Sequence, residues 1–352
     1  MLPRAAPGGQ AGGVPTARAP GRVTLIGEHT DYNAGLSLPM AIDLVTEASF
    51  TPKPGSFLVS LRSDQYPWPL EISLRGTDPT PPEAVLAASL IRLSNLTEGG
   101  TIRVTSTLPI GAGLSSSAAF SVAILLALGN MGEPRTIAAL CQAAEASAGS
   151  RVGLLDPLAI MEGQAGHALR IDFSTYETRQ IPVPEEAAFI VVHCGVERAL
   201  GASPYAIRRS ECEMAASHIG RALGRCELAD LSALHDPVLR RRARHVITEC
   251  GRVREVERLL RRRNLVGVGA VMTDGHRSLA EDYKVSITVV DELVDRLLSM
   301  PGVYGARMTG GGFGGCVIAL CAPDSPALDP SIHAPLRAWR ISPSPGAMLL
   351  ER

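Results

Sequence analysis

Apolar positions along the chain recur with two different spacings. Short apolar or alternating runs at 22–26, 36–46, 101–106, 167–173 and 188–194 predict strands, the first two flanking a polar loop. Longer apolar-rich stretches at 84–97, from about 117 to 129, and at 136–148 predict helices, and a further helix is expected after Asp156. Two long helices follow, one from about 204 to 223 and one from about 236 to 263. The second puts Leu239, Ala243, Val246, Cys250, Val253, Val256 and Leu260 on one face. Pro184 and the paired acids after it separate one strand from the next, which suggests two domains, 18–183 and 188–352. Residues 1–17 are expected to form a disordered tail.

Composition narrows the function classes. A chain of 352 residues exceeds what one core usually serves, and 45% hydrophobic against 20% charged residues places it among globular proteins. A net charge of −1 gives no general attraction to nucleic acid or anionic lipid. Between Arg240 and Arg263 the arginines alternate with Glu249, Glu255 and Glu257, so that run reads as the solvated face of an amphipathic helix. Seven cysteines without a CxxC pair suggest a reducing compartment. Residues 1–19 lack the apolar run of a signal peptide, and nothing approaches the roughly 20 apolar residues of a membrane span, so a cytoplasmic protein is expected. The only lysines are Lys53 and Lys284, and neither follows a glycine-rich loop, which excludes a lysine-bearing P-loop.

Two glycine loops remain. Leu108 to Ala119, with Gly111, Gly113 and the serines 115–117, lies between a predicted strand and a predicted helix. Glycines allow close backbone approach and a helix start presents free N–H groups, so this loop reads as a phosphate cradle without lysine. The second, Thr309 to Gly315, formally contains the dinucleotide spacing. The apolar run 316–320 after it reads as a strand instead of the helix that fingerprint requires, which leaves a structural hairpin or a ligand-facing loop.

The polar loop after the first strand gathers Arg22, Glu28, His29 and Asp31 within ten residues. A buried polyol needs a partner for each hydroxyl, and carboxylates beside an imidazole supply several. Asp156 precedes Pro157, which biases it away from helical backbone and sets it just before a helix, where an aspartate commonly caps. A catalytic role for it requires Arg22 nearby, as counter-charge to a carboxylate that accepts a hydroxyl proton.

Together these segments resemble the galactokinase family. Residues 19–33 resemble its signature, 108–119 the second motif of the wider homoserine, mevalonate and phosphomevalonate kinase (GHMP) superfamily, and 309–315 the third. The resemblance continues through 196–212, 243–249, 276–286 and 343–347. It implies an α+β, two-domain fold, with a ribosomal-S5-like α/β N-terminal domain, a ferredoxin-like C-terminal domain and the active site between them. It implies ATP, Mg²⁺ and a galactose-like sugar phosphorylated at the anomeric hydroxyl; kinases for N-acetylgalactosamine or arabinose, and a non-catalytic sugar and ATP sensor, share the pattern. No obligate protein partner is evident from the sequence. By match to the motifs, Arg22 and Asp156 would be catalytic, and Glu28, His29, Asp31, Gly153 and Tyr205 would hold the sugar. Pro109, Gly111, Ala112, Gly113, Leu114, Ser115, Ser116 and Ser117 would wrap the phosphates. Ser116 and Glu145 would bind magnesium, the serine run fixing the register only to within one residue. The family's usual asparagine in the first motif is Thr24 here, and its usual Met-Asp-Gln is Leu155-Asp156-Pro157.

Overall fold

The computed structural model describes residues 15–64, 69–75, 84–149, 153–196 and 204–350. Strand β1 (Thr16–Ile26) pairs antiparallel with β2 (Leu36–Pro52). Outward from there lie β3 (Leu58–Ser63) and β4 (Leu70–Ser73), reached through β5 (Gly100–Ser106), which pairs antiparallel with β2 and parallel with β3. Strands β6 (His167–Asp172) and β7 (Glu177–Pro182) form a hairpin that branches from the start of β2. Helices α1 (Val85–Leu93), α2 (Ser116–Ala127), α3 (Pro134–Ser147) and α4 (Leu155–Glu162) complete the N-terminal half. Helix α2 is apolar almost all round, as a helix surrounded by protein must be; Ala119, Val122, Ala123, Ile124 and Leu125 are fully buried between β1, β2 and the neighbouring helices.

The C-terminal half is a four-stranded antiparallel sheet of β8 (Ala188–His193), β9 (Val303–Thr309), β10 (Cys316–Cys321) and β11 (Ala338–Ile341), ordered β11-β8-β10-β9. Around it pack α5 (Pro204–Ile219), α6 (Pro237–Arg261), α7 (Leu265–Ser278) and α8 (Thr288–Leu298). Both faces of this sheet are covered. Ile190 and Val192 enter one core while Phe189 and Val191 enter the other, the period of two expected of a strand. The result is the ferredoxin-like half of an α+β fold.

Residues 183–187 run from β7, in the first sheet's hairpin, to β8 of the second sheet, and the last strand, β12 (Met348–Leu350), crosses back and pairs with the start of β1. Thr16 and Ala17, expected in the tail, are thereby part of β1, opposite Leu350 and Leu349; residues 1–14 lie outside the described residues. All seven residues foreseen on the inner face of α6 are buried. Its polar side is not uniformly solvated, however. Glu249 has no exposed surface and is paired with Arg307, itself fully buried, and Arg242 is buried against Glu211. Among the described residues no helix is long and apolar enough to cross a membrane.

Helix α7 meets β9 so closely that neither backbone can carry a side chain at the crossing. A Cβ on Gly305 would come within 1.9 Å of the Gly269 carbonyl oxygen, and one on Gly269 within 2.2 Å of the Tyr304 backbone. This contact seats β9, whose end leads into the second glycine loop. Gly305→Ala is expected to lose about 1–3 kcal/mol in chemical denaturation. Gly251→Ala, on the open outer side of α6 with nothing within 4 Å, is expected to lose none.

Candidate active site

The 108–115 loop is held onto β1 by apolar anchors and backbone contacts. Leu108, Ala112 and Leu114 are buried, and the Leu114 carbonyl accepts the Arg22 N–H at 3.1 Å. Gly21 makes room for this: a Cβ there would lie 2.4 Å from Leu108 and 2.8 Å from the Leu114 oxygen. Gly111 and Gly113 both have positive φ, at 71° and 81°, so the turn itself requires glycine. Ser115, the N-cap of α2, adopts a left-handed backbone and does not cap the helix with its side chain. Its hydroxyl donates instead to Asp156 Oδ2 at 2.6 Å, leaving the helix start open toward solvent, where an anion is favoured.

Arg22 is bound on two sides. Its Nε and Nη2 reach Asp156 Oδ1 at 2.8 and 2.6 Å, and its Nη1 donates to the Gly113 carbonyl at 2.8 Å. The Arg22 side chain is 7% exposed and that of Asp156 33%, so the cation is sealed behind a carboxylate that still faces the cleft. Asp156 is the second residue of α4, whereas its proline neighbour suggested a place just before the helix. Pro157 is tolerated there because the amide it lacks has no intrahelical partner in a first turn.

The 27–35 loop is braced from within. Thr30 Oγ1 donates to the carbonyls of Gly27 and Leu36, and the Asn33 amide to His29 O. His29 takes a left-handed backbone (φ 63°), and its Nδ1 lies 2.9 Å from the Tyr32 hydroxyl. Its ring packs among Tyr32, Tyr205 and Tyr283, with centroids 6.0, 5.4 and 4.7 Å away. Glu28 accepts the Gly310 N–H at 2.6 Å, so the second glycine loop, a hairpin joining β9 to β10, also reaches the site. Burial pushes the Glu28 carboxyl up to about 7 against the pull of Arg307 and Arg22. Burial, and next the charge of Asp156, push Asp31 up to about 6. Gly153 lies against Asp31, where a Cβ would meet the carboxylate oxygen at 1.6 Å. Glu145, on α3, is raised by burial and hydrogen-bonds to Ser117, and a narrow cleft is lined by Ser117, Glu145, Gly153, Asp156 and Pro157. A wider cavity of about 570 Å³ lies along the outer side of α6, near Thr248, Arg254 and Asp274. Its walls mix charges of both signs with no converging donor set, so size does not mark the site here.

Comparison with known proteins gives three matching family models. A galactokinase galactose-binding signature matches residues 9–52, the GHMP kinases N-terminal domain matches 83–164, and the GHMP kinases C-terminal model matches 256–329. The galactokinase of Homo sapiens is 40% identical over 322 residues, covering 86% of this chain and 82% of its own length. The chain belongs to the galactokinase family. The Chloroflexus aurantiacus galactokinase is 37% identical, with 88% and 84% covered. A Lactococcus lactis galactokinase solved in complex with galactose superposes with a TM-score of 0.86 at 27% identity, covering 96% of this chain and 95% of that one. A mevalonate kinase structure, at 19% identity and TM-score 0.65, shares the fold.

Within this family frame the expected residues converge. Arg22 and Asp156 are in contact, Gly153 and Asp31 touch, and Tyr205 stands over His29 although the two are far apart in sequence. Of the two residues expected at magnesium, Glu145 hydrogen-bonds to the Ser117 hydroxyl, and Ser116, one residue before it, is the first residue of α2. Thr24, at the family's asparagine position, is fully buried and gives its N–H to Thr309 Oγ1 at 2.9 Å, so it joins β1 to the second glycine loop. Sequence reasoning missed Tyr32, Tyr283, Glu249 and Arg307; the last two had no signal beyond being charged residues in apolar runs. Since Asp156 contributes to the raised ionisation of Asp31, Asp156→Asn is expected to move the Asp31 midpoint down from about 6, measured by carboxyl-detected NMR titration. An unmoved midpoint would mean that the two carboxylates do not share one site.

Proposed function

We propose that this protein transfers the γ-phosphoryl group of ATP to the anomeric hydroxyl of galactose, giving galactose 1-phosphate and ADP. The observation that carries this reading is the placement of the Arg22–Asp156 pair at the mouth of the serine-rich loop, beside a carboxylate and imidazole cluster suited to a polyol. In the proposed pose Glu28, His29, Asp31, the Gly153 backbone and Tyr205 hold the sugar hydroxyls. The open start of α2 and the N–H groups of residues 110–117, with Pro109 shaping the loop, receive the phosphates.

Asp156 is suited to accept the substrate proton. One of its oxygens is fixed by Arg22 and the other by Ser115, and a carboxylate has acceptor capacity left after both. As the sugar oxygen bonds to phosphorus and the bridging oxygen leaves with ADP, the hydroxyl proton passes to Asp156. Behind Asp156, Arg22 would supply positive charge near the migrating phosphoryl group, whose loose transition state demands mainly position and charge stabilisation.

Magnesium fits the residues present. Glu145, with the hydroxyl of Ser116 or Ser117, would supply hard oxygen donors, and Mg²⁺ is commonly held by one or two carboxylates with substrate phosphates and water completing its shell. When bound, the ion would offset charge on the phosphates.

The test is a coupled ADP-release assay with MgATP against galactose, N-acetylgalactosamine, arabinose, glucose, mevalonate and homoserine. Selective turnover of galactose is expected, falling about 10²–10⁴-fold in Asp156→Asn. Preference for another acceptor would overturn the substrate, and full turnover by the variant would overturn the role of Asp156. If galactose bound without turnover, the protein would be a sensor.

A further inference from the structure

Glu249 lies in the middle of α6 with no exposed surface, yet it is ionised, and its four partners explain why. Oε1 accepts the Gly27 N–H at 2.8 Å, the Glu28 N–H at 3.4 Å and Arg307 Nη2 at 3.0 Å; Oε2 accepts Arg252 Nε at 2.7 Å. Burial alone would raise this carboxyl, but Arg307 and Arg252 outweigh it and hold it well below the usual range. Gly27 has φ +99°, and a Cβ there would lie 2.5 Å from Ser37 Cα, so only glycine makes this turn. Two residues on, His29 is again left-handed. The Gly27 amide is thus turned toward α6, and Glu249 is the acceptor that meets it.

The same helix grips the turn a second time. His245 Nε2 lies 3.2 Å from the Glu28 carbonyl, which can only accept, so Nε2 carries the proton and Nδ1 accepts from Ser278 at 2.8 Å. Burial lowers His245 to about 4, which keeps it neutral in this role. Arg307 enters from β9 through space that Gly275 leaves open; a Cβ there would lie 2.7 Å from its guanidinium. Both N–H and C=O of Glu28 are thereby tied to α6, while its carboxylate is tied to Gly310.

We infer that Glu249 is a positioning residue for sugar binding, holding through the Gly27 and Glu28 amides the turn that aims Glu28 and His29 at the substrate. A buried ion pair is weak evidence for stability, since apolar side chains of similar volume often serve as well. What an apolar residue could not supply is an acceptor for these amides. Nor could it supply the negative charge that faces Glu28 together with Arg22 on β1, Arg307 on β9 and the neutral His245 on α6. Arg307 and Arg22 favour ionised Glu28, and Glu249 opposes them. Removing the Glu249 charge therefore lets Glu28 ionise at lower pH.

This rests on the galactose kinase reading, and wild-type turnover of galactose is the control that separates the two: its absence would sink that reading, not this one. In Glu249→Gln, KM for galactose is expected to rise about tenfold or more, as befits loss of one buried charge partner, with KM for MgATP changed less than about twofold. The acid limb of kcat/KM for galactose, expected where Glu28 ionises at about 7, should move to lower pH in this variant. A merely structural role would raise both KM values together and leave the limb in place, and either result would overturn the inference. If Glu249→Gln does not fold, Arg252→Gln, which removes the outermost partner, is expected to raise KM for galactose alone by about two- to threefold. No change, or an equal change for both substrates, would contradict the proposal.

Discussion

The short contact between Arg22 and Asp156 is the constraint on which the reactive centre depends. It joins the first strand of the N-terminal sheet to the first turn of a helix 134 residues further on, and both groups are then used again. Arg22 also holds the Gly113 carbonyl, which sets the serine-rich loop against β1. Asp156 also takes the Ser115 hydroxyl, which opens the start of α2. One ion pair therefore fixes a cation, the carboxylate proposed as proton acceptor and the helix end proposed to receive the phosphates relative to each other. Being only partly exposed, it loses less to solvent and salt than a surface pair would.

A second layer of charge lies behind the first, and it comes from the other half of the molecule. Glu249 and Arg307 reach across from α6 and β9 to the turn that carries Glu28, and Gly310 completes the enclosure. The two halves are therefore coupled at the sugar loop through backbone amides as well as side chains. This coupling needs the close approach of α7 to β9 and the absence of side chains at Gly269, Gly275 and Gly305. Small residues distant in sequence thus determine where a buried arginine can sit.

Much of this was legible in the sequence because it is local. The serine loop between strand and helix, the long amphipathic helix α6, and the Glu28 to Asp31 cluster each announce themselves within a dozen residues. Local reasoning failed where tertiary context decides. Pro157 argued for an extended Asp156, and the helix absorbed it in its first turn. Glu249 read as one more solvated acid among arginines because Arg307 is 58 residues away. The strand β12 that completes the first sheet has only three residues, too few for any period to register. The serine run could not reveal which hydroxyl faces Glu145, since a shift of one residue turns a helical side chain by about 100°.

The most direct test of the central claim, that Asp156 and Arg22 direct phosphoryl transfer to the anomeric oxygen, is the position of the phosphate in the product. A ³¹P and ¹H NMR analysis of the reaction with MgATP and galactose should give one new phosphomonoester, its phosphorus coupled to the anomeric proton. Phosphate on any other carbon, or release of inorganic phosphate alone, would contradict the account.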